Sequence, residues 1–191
     1  ADLILETNRH GKNLVLGLPT TKTPKELYKN LVNIHTETNL DFSNVITFNL
    51  DEYWPIAPDH PASFHRYMKE HLFDHVNIAE QNIHIPDGNL SPDDIPDFCK
   101  KYEEDIKKSG GIDLMILGIG ATGHVGFNEP GSTVTSRTRL VKLHEKTLHD
   151  SAKTFHGIQN VPKHAITMGI ATILESKQIA LLALGKHKSL I

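Results

Sequence analysis

A glycine-rich segment near the middle of the chain carries the residues best suited to chemistry. Residues 118–132 read GIGATGHVGFNEPGS and place His124 five residues before Glu129. The glycines permit close backbone approach, so the histidine and the glutamate can meet if the loop curls back. Such a pair can move protons near neutral pH. The G-x-G at 118–120 lacks the third glycine of a dinucleotide-binding fingerprint and does not by itself predict a nucleotide site.

Histidine is abundant in this chain, and His124 is the one of the thirteen that we predict to be functional. The other histidines lack the spacing to further histidine, cysteine or carboxylate partners that is typical of a metal site. We therefore expect no bound metal.

A second candidate is the carboxylate of Asp51, which directly follows the apolar run VITFNL at 45–50. At the carboxyl end of a buried strand, a carboxylate is poorly placed for packing and well placed to act as a base. The alternative is a local role in an Asx turn or a helix cap.

A third candidate is the loop between Pro19 and Pro24, which contains Thr20, Thr21, Lys22 and Thr23. Backbone N–H groups at a helix N-terminus, together with hydroxyls and a lysine, suit an anion such as phosphate. The alternative is a threonine-rich helix cap with an exposed lysine.

Lys188, in the GKHK stretch that follows the last apolar run, could also bind an anion. A solvated lysine is the alternative there.

The elements that must position these side chains alternate along the chain. Short apolar runs predict buried strands, and stretches with apolar residues on one face predict helices between them. This order is typical of a Rossmann-like, three-layer α/β domain with a mostly parallel sheet, in which ligands bind beyond the carboxyl ends of the strands. The predicted strands are 13–18, 45–50, 112–117, 165–170 and 179–184, and the predicted helices begin at Pro24, Pro61 and Asp97.

Composition narrows the class of protein. The chain has 191 residues and a net charge of −3, so nothing indicates a nucleic-acid partner or an anionic membrane surface. No apolar run approaches the roughly 20 residues that cross a bilayer. The single cysteine, Cys99, fits a reducing cytoplasm. We expect one domain over residues 1–191, truncated at both ends, because the last strand is followed by little sequence and residues 1–6 resemble the end of a longer helix.

With these residues in view, the chain resembles the glucosamine-6-phosphate deaminase/isomerase family. The resemblance runs in order through nearly the whole chain. It implies a Rossmann-like fold, conversion of glucosamine 6-phosphate to fructose 6-phosphate and ammonia, no cofactor, a homo-oligomer, and a further segment after Ile191. The stretches that carry it are GLPTTKTPKELYK (17–29), VITFNLDEYWPIAPDHPASFHRYM (45–68), GIGATGHVGFNEPGS (118–132), SRTRLVKL (136–143), NVPKHAITMGIATIL (160–174) and LLALGKHK (181–188).

The resemblance also implies a role for each candidate. Asp51 matches the base that moves a proton from C2 to C1 of the open-chain sugar, and His124 matches the acid/base that opens the ring. Glu129 matches a carboxylate that orients this histidine. Thr20 to Thr23 match the phosphate loop, and Lys188 matches a lysine that pairs with the phosphate.

The chain departs from the family pattern in three ways. Thr122 replaces an aspartate two residues before the histidine. A neutral hydroxyl should stabilise imidazolium less than a carboxylate does, which lowers the rate by about tenfold. Thr21 and Lys22 replace glycines or small residues, so Thr21 loses the freedom to adopt positive φ. Lys153 replaces an arginine near the phosphate and lacks its bidentate fork.

In allosteric relatives an acetylated sugar phosphate binds between subunits. Ser132 and Arg139 match two of the contacts made there, whereas Val141 replaces a lysine. The resemblance therefore leaves allosteric regulation of this chain open.

Two other functions remain open at the sequence level. A 6-phosphogluconolactonase shares the fold, but its motif near the histidine lacks a glutamate, and Asp51 is followed here by Glu-Tyr instead of Glu-Arg. A non-catalytic sugar-phosphate-binding regulator is suggested by Thr122 and the altered phosphate loop. The joint presence of Asp51, His124 and Glu129 favours an enzyme.

Overall fold

Five parallel strands form the central sheet in a computed structural model that describes residues 1–188. In chain order the strands of this sheet are β1 Leu14–Leu18, β2 Val45–Asn49, β4 Ile83–His84, β5 Leu114–Gly118 and β8 Gln178–Leu182. In sheet order they are β4, β2, β1, β5 and β8, so the strands start in the middle of the sheet and are added outward to both edges. This confirms the α/β class and the parallel pairing.

Helices cover both faces of the central sheet. The side chains of β1 alternate between two apolar clusters: Leu14 and Leu16 pack in one with Tyr28, and Val15 packs in the other with Tyr102. A strand that is buried on both faces in this way makes a three-layer domain. The helices are α1 Asp2–Arg9, α2 Lys25–Thr38, α3 Phe64–His71, α4 Ile95–Lys108, α5 Glu145–Ser151 and α6 Ile170–Leu174.

Local sequence accounts for the ends of the helices near the candidate site. Pro24 precedes the first residue of α2, where its missing N–H costs no hydrogen bond, and the helix ends at Asn39 in a left-handed conformation. The helix predicted from Pro61 begins three residues later, at Phe64. The hydroxyl of Ser63 accepts a hydrogen bond from the His65 N–H and so sets this start.

A second, three-stranded antiparallel sheet corrects the assignment of residues 165–170 to the parallel sheet. Its strands are β3 Asp51–Trp54, β6 Arg139–Lys142 and β7 His164–Thr167, with β7 in the centre. The chain leaves β2 at Leu50 and pairs at once with β7, so the residues that directly follow the predicted strand 45–50 form a strand of their own, Asp51–Trp54. An apolar run identifies a buried strand but carries no information on its direction or its sheet.

Candidate active site

A small cavity of about 130 Å³ opens where β1, β2 and β5 end. Parallel strands present their carboxyl ends at one edge, and the loops that follow them converge there. Three of the sequence-predicted loops supply lining residues, and the full lining comprises Pro19, Thr20, Thr21, Thr23, Leu50, Asp51, Phe64, Gly118, Ile119, Gly120, His124, Gly126 and Phe127.

Asp51 enters this cavity from the first residue of β3 and is only 6% exposed. Its carboxylate makes no hydrogen bond with any residue in 1–188. The backbone of Gly126 passes close by with φ +56, and a Cβ there would lie 3.3 Å from Asp51 Oδ2. Burial, and then the neighbouring Glu52, raise the pKa of Asp51 to about 8. An Asp with this pKa can both take and return a proton near neutral pH.

Glu52, the next residue, is fully buried and, unlike Asp51, is surrounded by hydrogen-bond donors. Its carboxylate accepts hydrogen bonds at 2.8–3.0 Å from the Ser63 hydroxyl and from the N–H groups of Tyr53, Phe64 and His65. Burial raises the pKa of Glu52, and the hydrogen bonds oppose that rise. Glu52 therefore holds the first turn of α3 against β3. Sequence reasoning did not single it out, although an acidic residue upstream of a Ser cap was a usable signal.

His124 lies in the same cavity, and its ring is held by its neighbours in the loop. Nδ1 lies 2.7 Å from the Thr122 hydroxyl and 3.2 Å from Glu129 Oε2, and the same hydroxyl lies 3.4 Å from Glu129 Oε2. Nδ1 thus contacts both the threonine hydroxyl and the carboxylate, and these two also contact each other. The Thr122 hydroxyl can accept a hydrogen bond from Nδ1–H while it donates one to Glu129. In this arrangement Nε2 is the ring nitrogen left to exchange protons with a ligand.

Burial lowers the pKa of His124, and the charge of Glu129 opposes the shift. Lys188 and His144 lower it further, while Asp150 raises it. The imidazole is therefore biased toward its neutral form at neutral pH.

Glu129 is itself fixed from α5. The Thr147 hydroxyl donates to Glu129 Oε1, and the His144 N–H donates to the same oxygen at 3.3 Å. The sequence predicts Glu129 as a partner of His124 but does not indicate these two supporting residues, because nothing in their spacing shows which carboxylate they reach.

Gly120 makes room for the imidazole. A Cβ at this position would fall 2.1–2.5 Å from atoms of the His124 ring, and the Gly120 N–H donates to the His124 carbonyl at 2.8 Å. A larger residue here would therefore displace the imidazole from this position. The glycine of the G-x-G motif thus has a packing reason unrelated to nucleotides.

The predicted phosphate loop lies on the β1 side of the cavity. Thr20 is buried, and Thr21 adopts φ +72, the left-handed conformation that its replacement of a glycine was expected to disfavour. None of the N–H groups of residues 20–23 has a hydrogen-bond partner within residues 1–188. Free backbone donors at the end of a strand and just before a helix can bind an anion.

The three predicted phosphate-binding lysines differ in position. Lys188 Nζ donates to the Ile119 carbonyl at 2.7 Å, at the edge of the cavity. Lys22 and Lys153 are exposed and are not part of the cavity lining. Their predicted role in phosphate binding stays a prediction.

The two residues predicted for allosteric binding come together outside the cavity. Arg139 on β6 donates to the Ser132 hydroxyl at 3.0 Å and to Asn128 Oδ1 at 2.9 Å. Asn128 in turn donates to the Met168 carbonyl at 2.8 Å. This set is connected to the His124 loop through Asn128, which lies one residue before Glu129.

Among residues 1–188, no group of three or more His, Cys, Asp or Glu side chains is arranged to hold a metal ion. None of the helices formed by these residues has both the length and the apolar composition that a membrane span requires.

Known proteins resemble this chain over nearly its whole length. The sequence profile of the family described as "Glucosamine-6-phosphate isomerases/6-phosphogluconolactonase" matches residues 3–191. A glucosamine-6-phosphate deaminase of Thermoanaerobacter sp. (strain X514) is 47% identical over 189 residues, which cover 99% of this chain and 74% of that protein. Glucosamine-6-phosphate deaminase 2 of Bacillus subtilis (strain 168) is 50% identical over 191 residues, which cover 99% and 76%.

A solved structure is also similar to this chain in three dimensions. It is described as a monomeric glucosamine-6-phosphate deaminase and superposes with a TM-score of 0.85 at 45% identity. The match covers 88% of this chain and 69% of that one.

Proposed function

The chain belongs to the glucosamine-6-phosphate isomerase/6-phosphogluconolactonase family, and we propose that it converts glucosamine 6-phosphate and water into fructose 6-phosphate and ammonia. One observation carries the proposal: a buried carboxylate, a histidine and a loop of free backbone N–H groups line a single cavity. Aldose–ketose isomerisation of a phosphorylated sugar needs a base, a proton shuttle and an anion site.

In this proposal the phosphate binds at the β1 end of the cavity. The N–H groups of residues 20–23 and the hydroxyls of Thr20, Thr21 and Thr23 supply donors, and Lys22, Lys153 and Lys188 supply positive charge. Fixing the phosphate places the sugar carbons toward Asp51 and His124, which reduces the entropy that the reaction must otherwise lose.

His124 opens the sugar ring. Nε2 takes the proton of the C1 hydroxyl and passes it to the ring oxygen as the bond between C1 and that oxygen breaks, which produces the open-chain aldehyde. Thr122 and Glu129 orient the imidazole through Nδ1, and the carboxylate stabilises positive charge on the ring while it carries the extra proton.

Asp51 then moves a proton within the open chain. Its carboxylate removes the proton from C2 and returns it to C1, which leaves an imine at C2. Water adds to this imine and the carbon–nitrogen bond breaks, so that ammonia leaves and the ketose remains. Because the base must be ionised, kcat/KM should rise with pH until the titration of Asp51, whose pKa is about 8, is complete.

Assembly and location belong to the same proposal. The family resemblance favours a homo-oligomer, whereas the solved relative is described as monomeric. Light scattering decides between them, since the chain has a mass of 21.3 kDa and an oligomer must show a multiple of it. A cytoplasmic location is supported by Cys99, a buried cysteine with a free thiol.

The test of the function is ammonia release from glucosamine 6-phosphate, with fructose 6-phosphate measured in parallel. We expect equal amounts of the two products and their loss in His124→Ala. Sugar-phosphate binding without ammonia would instead indicate a regulatory binding protein. Hydrolysis of 6-phosphogluconolactone in place of deamination would indicate a lactonase.

A further inference from the structure

The predicted phosphate loop accepts a hydrogen bond from a tyrosine of a neighbouring helix. The hydroxyl of Tyr67, on α3, donates a hydrogen bond to the carbonyl oxygen of Thr21. In a trans peptide the C=O and the following N–H point in opposite directions. The N–H of Lys22 therefore points away from Tyr67, on the side of the loop where it has no partner within residues 1–188.

The residue that receives this hydrogen bond is in a conformation that it disfavours. Thr21 has φ +72, and a β-branched side chain rarely adopts the left-handed region, which glycine enters freely. A loop with threonine at this position needs an external contact to keep this backbone conformation populated. The Tyr67 hydroxyl contacts the carbonyl of that very residue.

Tyr67 is itself well supported for such a role. Its ring packs edge-to-face against His71 with centroids 4.4 Å apart, and Lys25 Nζ lies 5.7 Å from its ring centroid. Burial raises the pKa of the Tyr67 hydroxyl well above its ordinary value, so the hydroxyl stays a proton donor over the whole physiological range.

A second tyrosine makes a parallel contact two residues earlier. The hydroxyl of Tyr28, on α2, donates to the Pro19 carbonyl. The same argument from the planar peptide turns the N–H of Thr20 away from that helix. The two hydroxyls thus fix the peptide planes that follow Pro19 and Thr21. The N–H groups of these planes, on Thr20 and Lys22, have no hydrogen-bond partner within residues 1–188.

We propose that Tyr67 is a positioning residue for phosphate, which holds Thr21 in the left-handed conformation and so keeps the loop amides directed to a phosphate monoester. The inference rests on the proposed function, since phosphate belongs to the proposed substrate. It goes beyond that function by assigning recognition of the phosphate to a residue that does not line the cavity.

Tyr67→Phe tests the inference because it removes one hydroxyl and keeps the ring. Inorganic phosphate is titrated by calorimetry, and glucosamine 6-phosphate turnover is measured beside it. We expect the Kd for phosphate and the KM to rise about three- to tenfold, the effect of losing one hydrogen bond, with kcat changed less than about twofold. A merely structural role would reduce the amount of folded protein and leave the KM of the remainder unchanged.

A glycine at position 21 supplies the decisive control. Glycine adopts positive φ without help, so Tyr67→Phe should weaken phosphate binding less than about twofold when it is made in a Thr21→Gly chain. Tyr102→Phe is the matched hydroxyl deletion: Tyr102 donates to the Asn49 and His84 carbonyls, outside the loop. We expect it to leave the phosphate Kd unchanged.

The outcomes separate the two proposals. An unchanged phosphate Kd in Tyr67→Phe, or an equal loss in the Thr and Gly backgrounds, overturns the role of Tyr67. If the unmodified chain binds phosphate and Tyr67→Phe weakens that binding less in the Thr21→Gly background, but no ammonia is released, the proposed reaction is contradicted and the role of Tyr67 stays supported.

Discussion

Asp51 and His124 reach the same cavity from regions that are built in different ways. Asp51 is the first residue of a strand, pinned by its pairing with Thr167, and its carboxylate has no hydrogen-bond donor within residues 1–188. His124 lies in a glycine-rich loop, and its ring is held by the Thr122 hydroxyl and by the Glu129 carboxylate, both of which contact Nδ1. One group is placed by backbone pairing and the other by side-chain contacts.

The difference affects how each group is tuned. Burial raises the pKa of Asp51 and lowers the pKa of His124, so both are pushed toward their neutral forms. Among residues 1–188 no hydrogen-bond donor near Asp51 opposes the effect of burial, and Glu52 adds to it. Near His124 the charge of Glu129 opposes it. We infer that the reaction rate depends in the Asp51 region mainly on the carboxylate itself. In the His124 region, removing one partner of the imidazole at a time should change the rate in smaller steps.

Asp51→Asn should produce the largest change. The amide keeps the shape of the side chain but cannot accept the C2 proton, so proton exchange at C2 should fall by about 100- to 10,000-fold. Phosphate affinity should change little, because Asp51 lies outside the loop of residues 20–23. Exchange is followed by NMR in deuterated water, and phosphate binding by calorimetry. Strong loss of phosphate binding would show that Asp51 is structural.

Gly120→Ala should come next, because it displaces the imidazole. The added Cβ would overlap the His124 ring, and a misplacement of about 1 Å in a reacting group can cost about 100-fold in rate. The measurement is kcat for ammonia release, with the melting temperature recorded alongside. The control is Gly110→Ala, at a helix end outside the cavity: its φ of +90 strains an alanine, so this variant should lower the melting temperature and leave kcat unchanged. Full activity in Gly120→Ala would show that the ring position is unimportant.

Thr122→Val should have a smaller effect, since it removes the hydroxyl that contacts both His124 and Glu129 and leaves their direct contact in place. We expect kcat to fall about tenfold, the cost of one hydrogen bond to a group that becomes charged. Thr133→Val is the matched control, because the Thr133 hydroxyl lies on an exposed turn and contacts only Thr135 among the described side chains. Equal activity of the two variants would mean that Glu129 orients the imidazole without the threonine.

Much of this site could be predicted from sequence because its parts follow from local rules. Apolar runs located the strands, and the rule that ligands bind at the carboxyl ends of parallel strands selected the loops that contain Asp51, His124 and Thr20. The pairing of His124 with Glu129 followed from their spacing in a flexible loop.

What sequence could not supply depends on contacts between distant segments. Glu52 meets the start of α3 eleven residues later, Thr147 reaches Glu129 from α5, and Tyr67 reaches Thr21 across 46 positions. No periodicity records such contacts. The same is true of the direction of residues 164–167, which is set by pairing with β3 and β6.

The smallest expected effect is on stability, and it has opposite signs in the two regions. The unfolded chain loses the Asp51 proton near pH 4, while the folded chain keeps it to about pH 8. Between these values the folded state binds the extra proton, so Asp51 makes stability fall as pH rises. The lowered pKa of His124 acts in the opposite direction: below about pH 6.5 the unfolded chain holds the extra proton, so this histidine makes stability rise with pH.

Melting temperatures measured from pH 4.5 to 8.5 should therefore fall toward high pH in the unmodified chain. Asp51→Asn should flatten this decline, because it removes the cost of ionising a buried carboxylate. Each kcal/mol removed should raise the melting temperature at pH 8.5 by about 2–4 °C. His124→Gln should leave the decline above pH 7 in place and remove only the rise at lower pH. Because Glu52 also titrates with a raised pKa, a residual slope is expected in Asp51→Asn. An unaltered slope would mean that Asp51 is ionised in the folded protein and that the difference between the two regions lies in geometry alone.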